Sequence, residues 1–397
     1  MESNSNNGNG LLDRLFHIKQ LNTSVRTEVL AGFTTFLAMC YIIIVNPSIL
    51  AMTGMDQGAV FVATCLAAAL GCMVMGLVAN YPIALAPGMG LNTYFTFSVC
   101  MGMGVPWQTA LAAVFVSGVV FLFVSLFKFR EAMINAIPMS LKLAIAGGIG
   151  LFLALIALKS SGVVIANEPT LIKMGDLSSA SVLFAALGFL LIVVMHHFKV
   201  RGAIIISILA ITMLSTLTGH NEFKGVFGEI PSLAPTFMQM DFEGLFTASM
   251  IGVIFVFFLV DLFDSTGTLV GVSQRAGLLV DGKLPRLKRA LMADSSAIIA
   301  GAALGTSSTT PYTALLYVGV LMVHGITGID WDDITEAVPA FLTMTFMPFT
   351  YSIADGIAIG FISYALVKLL TGKAKAVPYM VWIIAIVWAI KFAIYGG

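Results

Sequence analysis

The sequence predicts an all-α polytopic membrane protein, and three observations support that prediction. Hydrophobic residues make up 59% of the chain and charged residues only 10%, whereas an average soluble domain carries about 25% charged residues. No Asp, Glu, Lys or Arg occurs between Gln57 and Phe127, which leaves room for two or three helical spans of ~20 residues each. Gly and Pro are scattered through the apolar runs, as membrane helices tolerate.

About a dozen apolar segments follow one another, and some of them are short or broken. They lie at 27–52, 58–79, 83–103, 107–127, 133–158, 178–197, 202–218, 245–272, 290–305, 312–324, 338–367 and 377–395. The segment at 338–367 is long enough for two pieces, and the joint "MPFT" at 347–350 predicts a break inside it.

Basic residues in the short connections predict how the chain is oriented in the membrane. The N-terminal arm, the connections after the fourth and sixth segments, and the loop 275–289 are basic, so we expect them in the cytoplasm. The loop 219–244 is mostly acidic and is expected outside. Residues 1–20 are expected to form a disordered cytoplasmic tail, because they lack the apolar core of a signal peptide. We therefore expect a multi-pass membrane protein with a cytoplasmic N-terminus.

Two parts of the chain, 21–218 and 245–395, correspond to each other weakly and are predicted to be two repeats. In each, an apolar helix is followed by a Gly/Ala-rich helix and then by a stretch rich in Gly, Pro, Ser and Thr: "APGMG" (86–90) and "GTSSTT" (305–310). Paired interruptions at corresponding positions indicate a transporter binding site. Non-helical backbone at membrane depth is tolerated only inside protein or along a cavity, so these two breaks are predicted to face each other.

Two acids interrupt the apolar run "FFLVDLFDSTGTLVGV" and are the leading candidates for function. Asp261 and Asp264 lie three residues apart, which places them about 60° apart on one helix face. An ionised Asp at the bilayer centre costs ~3 kcal/mol on insertion scales, and intramembrane acids mark substrate or proton sites by default. We therefore expect both to bind substrate and to couple transport to protons; helix capping is the structural alternative, and it fits Asp264 better.

Asn92 follows "APGMGL" and opens the aromatic-rich stretch "TYFTFSV". Its amide can cap that half-helix or pair with the edge of an adenine-like base. Weaker candidates are polar residues within or beside apolar segments, where interhelical bonding or capping is the alternative: Thr34, Asp294 and Asp355. The four cysteines lack metal-ligand spacing and are expected to be small core residues, so no metal site is predicted. The net charge of zero gives no indication of nucleic-acid binding.

Several motifs closely resemble the AzgA-like purine (adenine/hypoxanthine/guanine) permeases, a branch of the nucleobase–cation symporters. They are "AGFTTFLAMCYIIIVNP", "ALAPGMGLNTYFTF", "LVDLFDSTGTLVGV", "GTSSTT", "ALLYVGVLM" and "EAVPAFLTMTFMPFTYSIADGIAIGFISY". The resemblance implies two inverted repeats of seven segments (7+7), interleaved core and gate domains, and third and tenth segments that are half strand and half helix. It also implies a purine bound between those two segments, proton symport across the plasma membrane (the bacterial inner membrane), and a homodimer formed through the gate domain.

By position, the resemblance carries site roles to this chain. It implies purine binding by Asn92, Asp261, Asp264, Ser307, Ser308 and Thr309, with the two aspartates also carrying the proton. The driving force would be the proton gradient, without a cofactor. The residues of the motifs "FDSTGTL" and "GTSS" slightly favour adenine over hypoxanthine and guanine.

The chain departs from the family pattern after "GTSSTTPY". Relatives continue into a Glu-containing half-helix and a full eleventh segment, whereas here Tyr312 runs directly into "TALLYVGVLM". About 40–50 residues, two spans' worth, are missing, including the glutamate expected to face the aspartates. Two missing spans preserve the orientation of everything downstream.

We therefore expect proton-coupled purine uptake, reduced by the missing segment. The alternatives are a variant that no longer transports, an anion transporter of the same fold, and a membrane-embedded enzyme. The anion transporter would want a basic residue in 83–103 or 305–312, and the enzyme a metal cluster or a nucleophile–base pair; the sequence has none of these. We expect no enzyme activity.

Overall fold

The computed structural model describes residues 11–16, 18, 23–126, 137–168, 170–200, 202–220, 225, 228–275, 284–311, 325–350 and 352–395. Most of these residues form helices, as composition predicts. Within the described ranges, six helices are long and apolar enough to cross a membrane, and four shorter apolar helices accompany them.

The first predicted span is divided into two helices. A short helix α1 (Leu11–Phe16) comes first, and α2 (Val25–Met39) follows, capped by the hydroxyl of Ser24. Two residues, Cys40 and Tyr41, separate α2 from α3 (Ile42–Leu50). At the joint, the N–H of Ile43 bonds the carbonyl of Cys40 three residues back, so the backbone tightens locally. The single uninterrupted run 27–52 gave no indication of this joint.

The second and third segments carry the first predicted break. Helix α4 (Gln57–Val74) continues into a π-helical turn (Met75–Ala79). The short strand β1 (Leu85–Pro87) follows, and then α5 (Met89–Thr93), which continues as a π-helix to Gly102. The third segment is therefore half strand and half helix, which confirms the expectation from the resemblance.

Within the described residues, the middle of the chain contains four helices, and it also contains a hairpin that the sequence did not predict. The helices are α6 (Trp107–Leu126), α7 (Met139–Ser160), α8 (Ala180–His197) and α9 (Ala203–Leu217). Strands β2 (Val164–Asn167) and β3 (Leu171–Met174) pair antiparallel between α7 and α8.

The last part of the chain repeats the helix–strand pattern. Its elements are α10 (Ala248–Arg275), α11 (Leu287–Leu304), β4 (Thr309–Pro311), α12 (Ile334–Phe349), α13 (Ile353–Leu370) and α14 (Tyr379–Tyr395). The gap between α12 and α13 confirms the break predicted at "MPFT". The apolar segment at 312–324, including the junction at Tyr312, lies outside the described residues.

The two short strands meet in the interior. β1 and β4 pair antiparallel, with Ala86 opposite Thr310. Helix α11 packs against both α4 and α6, and α10 packs against α6 and β4. Non-helical backbone is thus enclosed by protein, as its survival at membrane depth requires. The division into two repeats at 21–218 and 245–395 and the interleaving of core and gate domains stay predictions.

The start of α12 offers a test of pH dependence outside the membrane spans. The carboxylate of Asp333 accepts bonds from the hydroxyl and N–H of Thr335 and from Lys373. The Thr335 hydroxyl is the main cause that holds the pKa of Asp333 well below its usual range, with the Thr335 N–H and Lys373 adding to it. A depressed folded-state pKa supplies stability that is complete above the ordinary value of about 3.9 and is lost as the pH falls through the folded value.

We therefore expect Asp333→Asn to lower the thermal unfolding midpoint at pH 7. The difference from the parent chain should close as the pH falls below about 4. Thermal unfolding in detergent across this range measures it, with the exposed Asp332→Asn as the control. A difference that does not change with pH would contradict the assignment.

Candidate functional site

The two breaks meet in a buried set of polar side chains that we call the polar seam. It comprises Asn46, Thr64, Asn92, Asp261, Thr306, Ser307 and Ser308, all completely buried. The backbone holds it in place, because the N–H of Gly88, at the end of β1, donates to the carbonyl of Ser308 at 2.9 Å. "APGMG" and "GTSSTT" were expected to face each other, and the hydrogen bonds between their backbones confirm this.

The amide of Asn92 bridges the two breaks. Its Oδ1 accepts a hydrogen bond from the hydroxyl of Ser307, and its Nδ2 donates to Oδ1 of Asn46. Asn92 lies in the first turns of α5, directly after β1. Both ends of the amide are engaged, and Oδ1 keeps a second acceptor site that a ligand donor could use.

Asn46 is the hub of the polar seam. Its Nδ2 donates to Oγ1 of Thr64 at 2.7 Å and to Oγ1 of Thr306 at 2.9 Å. With the bond from Asn92, one side chain joins α3 and α4 to the residues flanking β1 and β4. The available signal was an amide in the uncharged run "YIIIVNP", which indicates an interhelical bond but not its partners.

The first aspartate reaches the same seam from α10. Oδ1 of Asp261 accepts a hydrogen bond from the hydroxyl of Ser308, and Asp261 is fully buried. The structure thus brings Asp261, Ser308, Ser307 and Asn92 together. Asp264 lies on α10 one turn further on, but its side chain and that of Thr309 lie outside the described part of the chain.

An aromatic pair lies beside the seam. The rings of Tyr94, at the start of the π-helix that continues α5, and Phe257 on α10 meet edge to face, with 5.1 Å between their centroids. Both side chains are buried. The sequence predicted aromatics after Asn92 but did not indicate that one of them would contact the aspartate-bearing helix.

The three weaker candidates lie elsewhere. Thr34 bonds the carbonyl of Leu30 within α2, at 2.9 Å. Asp294 is buried on α11, ten residues before the helix ends, which is about 15 Å of helix. Asp355 lies in the first turn of α13, where its charge favours the helix start.

The arrangement is suited to holding a flat, hydrogen-bonding ligand. A carboxylate accepts N–H groups, hydroxyls both donate and accept, and an aromatic pair excludes water beside them. Within the described ranges, no group of three or more His, Cys, Asp or Glu side chains is placed to hold a metal ion.

We expect Asn46→Ala to destabilise the protein by about 1–3 kcal/mol, because it leaves the buried Asn92 amide and a threonine hydroxyl short of a partner. Thermal unfolding in detergent measures the loss. Ser48→Ala is the matched control, since Ser48 lies on the same helix, is exposed, and donates its hydroxyl to the carbonyl of Ile44 within α3. Equal midpoints for the two variants would show that the hub contributes nothing.

Comparison with known proteins places the chain in a family. A family model described as "Permease family" matches residues 26–314. The chain belongs to this permease family. It is therefore a transporter with several membrane spans and not an enzyme.

Two relatives in this permease family are similar over almost their whole length. The adenine permease AdeP of Escherichia coli (strain K12) is 42% identical over 428 positions, covering 97% of this chain and 96% of the relative. The guanine/hypoxanthine permease PbuG of Bacillus subtilis (strain 168) is 43% identical, covering 95% and 98%. The resemblance to purine permeases is confirmed at the level of the family.

A solved structure supports the fold. The murine Slc26a9 anion transporter, in its inward-facing state, matches with a TM-score of 0.61 at 10% identity, covering 94% of this chain and 73% of that chain. Slc26 transporters share the 7+7 inverted-repeat fold, so the predicted fold class is confirmed. At this identity the match concerns the fold alone.

The comparison with AdeP also bears on the missing segment. The alignment has 428 positions, but 97% of the 397 residues is about 385, so about 43 positions face no residue of this chain. That number agrees with the 40–50 residues expected to be absent. The position of the gap, predicted after Tyr312, stays a prediction.

Proposed function

We propose that this permease takes up purine nucleobases across the bacterial inner membrane, driven by the proton gradient. The polar seam is the observation that carries the proposal, because it gathers the predicted side chains Asn92, Asp261, Ser307 and Ser308 at the crossing of two broken segments. The adenine and guanine/hypoxanthine permeases among the relatives give the substrate class.

In this proposal the carboxylate of Asp261 accepts an N–H group of the purine, exchanging its bond with Ser308 for one to the ligand. Purines are bordered by alternating N–H and ring-nitrogen positions, and hydroxyl groups complement both kinds. The hydroxyls of Ser307 and Ser308, once they leave Asn92 and Asp261, then bond the polar edge of the purine. Thr309 and Asp264 are proposed to complete the substrate-binding set from the same strand and helix.

Proton coupling is assigned to Asp261 and Asp264. Two carboxylates three residues apart on one helix in an apolar segment favour uptake of a proton on one of them. A proton that binds with the purine and leaves on the inner side makes uptake depend on the gradient. Thr34, Asp294 and Asp355 remain secondary candidates for substrate binding.

The missing segment is proposed to reduce transport, because it carries the opposite wall of the purine site. We further propose a cytoplasmic N-terminus, a small preference for adenine, and a homodimer formed through the gate domain. A chain that no longer transports is the second candidate, favoured by the roughly 43 positions without a residue. Anion transport is disfavoured, since 83–103 and 305–312 contain no basic residue.

Uptake of labelled adenine by permease-deficient cells tests the proposal. We expect uptake above the background of empty cells, loss of that uptake when a protonophore collapses the gradient, and competition by hypoxanthine and guanine but not by uracil. Uptake equal to background in cells that contain the folded protein would support the non-transporting alternative. Uptake that survives collapse of the gradient would remove the proton from the mechanism.

A further inference from the structure

A second buried polar cluster joins the three helices α7, α12 and α13 and shares no residue with the polar seam. Nζ of Lys368 on α13 lies 2.6 Å from Oε1 of Glu336 on α12, and their side chains are only 6% and 21% exposed. Oε2 of the same glutamate accepts from the hydroxyl of Ser140 on α7, and Oε1 accepts from Tyr364 at 3.1 Å. Lys368 also donates to Thr335 at 2.7 Å. We call these five residues the ionic clasp.

The ionic clasp lies at one end of the three helices. Ser140 is the second residue of α7, Glu336 is the third of α12, and Lys368 lies two residues before the end of α13. Next to it, the exposed Lys373 pairs with Asp333 at 3.1 Å. The cluster is therefore close to an exposed surface, although Lys368 itself is buried.

Along the rest of their length the three helices are joined by close packing on glycines. A methyl group on Gly148 of α7 would fall 3.2 Å from Cα of Met344, and one on Gly356 of α13 would fall 2.9 Å from the carbonyl oxygen of Thr343. Smooth small-residue surfaces allow helices to approach closely. Such surfaces restrict the displacement of one helix along the other less than a directional polar contact does.

A buried ion pair is an expensive way to gain stability, because desolvation offsets most of the attraction between the charges. The best-attested use of buried polar groups is to select one register among several that apolar packing would allow. Here one carboxylate binds three side chains from two other helices, so a shift of either helix by one turn, about 5.4 Å, would break all its bonds to that helix.

We propose that the ionic clasp sets the register of α7 and α13 on α12, and that Glu336 and Lys368 are positioning residues for this three-helix unit. With the clasp closed, the unit has one arrangement. Without it, the glycine-packed surfaces admit at least one more. This assignment stands on the packing of the described helices and does not depend on which substrate is carried.

Spin-label distances in the purified full chain test the proposal. The four cysteines are replaced, and labels are attached at Met139 on α7 and Leu370 on α13, both of which are exposed. We expect one narrow distance distribution for the parent and for Lys368→Arg. We expect a broadened or two-component distribution for Lys368→Met, and no change for the exposed control Lys375→Met.

The double variant Glu336→Met with Lys368→Met separates register from stability. It removes both charges, so the penalty of one unpaired buried charge disappears and the thermal midpoint should recover most of the loss seen in Lys368→Met. The distance distribution should nevertheless stay broad, because the directional contact is gone. A narrow distribution identical to the parent's in the double variant would overturn the proposal. If the double variant does not fold, Ser140→Ala, which removes the bond from α7 to Glu336, decides by the same criterion.

Discussion

Inserting the missing segment is expected to raise adenine uptake at least tenfold. The insertion, at the predicted gap between Tyr312 and Thr313, would carry the corresponding residues of AdeP, about 43 positions. It would restore two features that the resemblance implies. One is the half-helix whose N-terminus points at the ligand, and the other is the glutamate that faces the aspartates. A charge-assisted hydrogen bond contributes about 1.5–3 kcal/mol, and each 1.4 kcal/mol is a factor of ten in affinity.

The control for this experiment is an inserted pair of apolar helices of the same length without the glutamate. It restores bulk and the number of spans but not the chemistry of the opposite wall. We expect uptake by this control to stay near that of the present chain. Equal uptake by the present chain and the restored chain, at matched amounts of protein, would show that the missing spans are dispensable.

Replacing Asp261 by Asn is expected to lower purine uptake at least tenfold and to remove its dependence on the proton gradient. The substitution keeps the size of the side chain and its acceptor for Ser308, but it removes the negative charge and the ability to bind a proton. Loss of a charged hydrogen bond of about 1.5–3 kcal/mol corresponds to roughly 10–150-fold. Labelled adenine uptake at two external pH values measures both effects.

The matched control for Asp261→Asn is Glu243→Gln, which removes an exposed carboxylate shortly before α10. Asp264→Asn belongs in the same series, because an equal loss there would show that both acids take part. Each variant is measured in the present chain and in the restored chain, so that low basal transport does not hide the effect. Proton-driven uptake that is untouched in Asp261→Asn would refute the assigned role.

The membrane class and the two broken segments could be predicted because they depend on local composition. A run without charge predicts a span, and paired Gly/Pro/Ser/Thr interruptions predict a crossing. The meeting of Asn92 with Ser307 followed from that logic, although the residues are 215 positions apart. The break between α12 and α13 was predictable for the same reason, since Pro348 and the following polar residues mark it.

The hub and the ionic clasp could not be predicted, because their geometry depends on helix packing rather than on local sequence. Asn46 is a single amide in an apolar helix, and nothing in its neighbourhood specifies which of several helices it will face. The pairing of Glu336 with Lys368 requires α12 and α13 to fold back antiparallel, and the contribution of Ser140 requires a third helix from the other half of the chain. Hydrophobic periodicity carries no information about these partners.

The pairing of β1 with β4 has a consequence for synthesis. Leu85 is opposite Pro311, so the second strand is made about 226 residues after the first. At roughly 5–20 residues per second, β1 waits for about 11–45 seconds before its partner exists. During that interval its backbone N–H and C=O groups must be satisfied by water or by other polypeptide, since lipid offers none. The nascent first half is therefore expected to keep a hydrated crevice at β1, which β4 seals when it arrives.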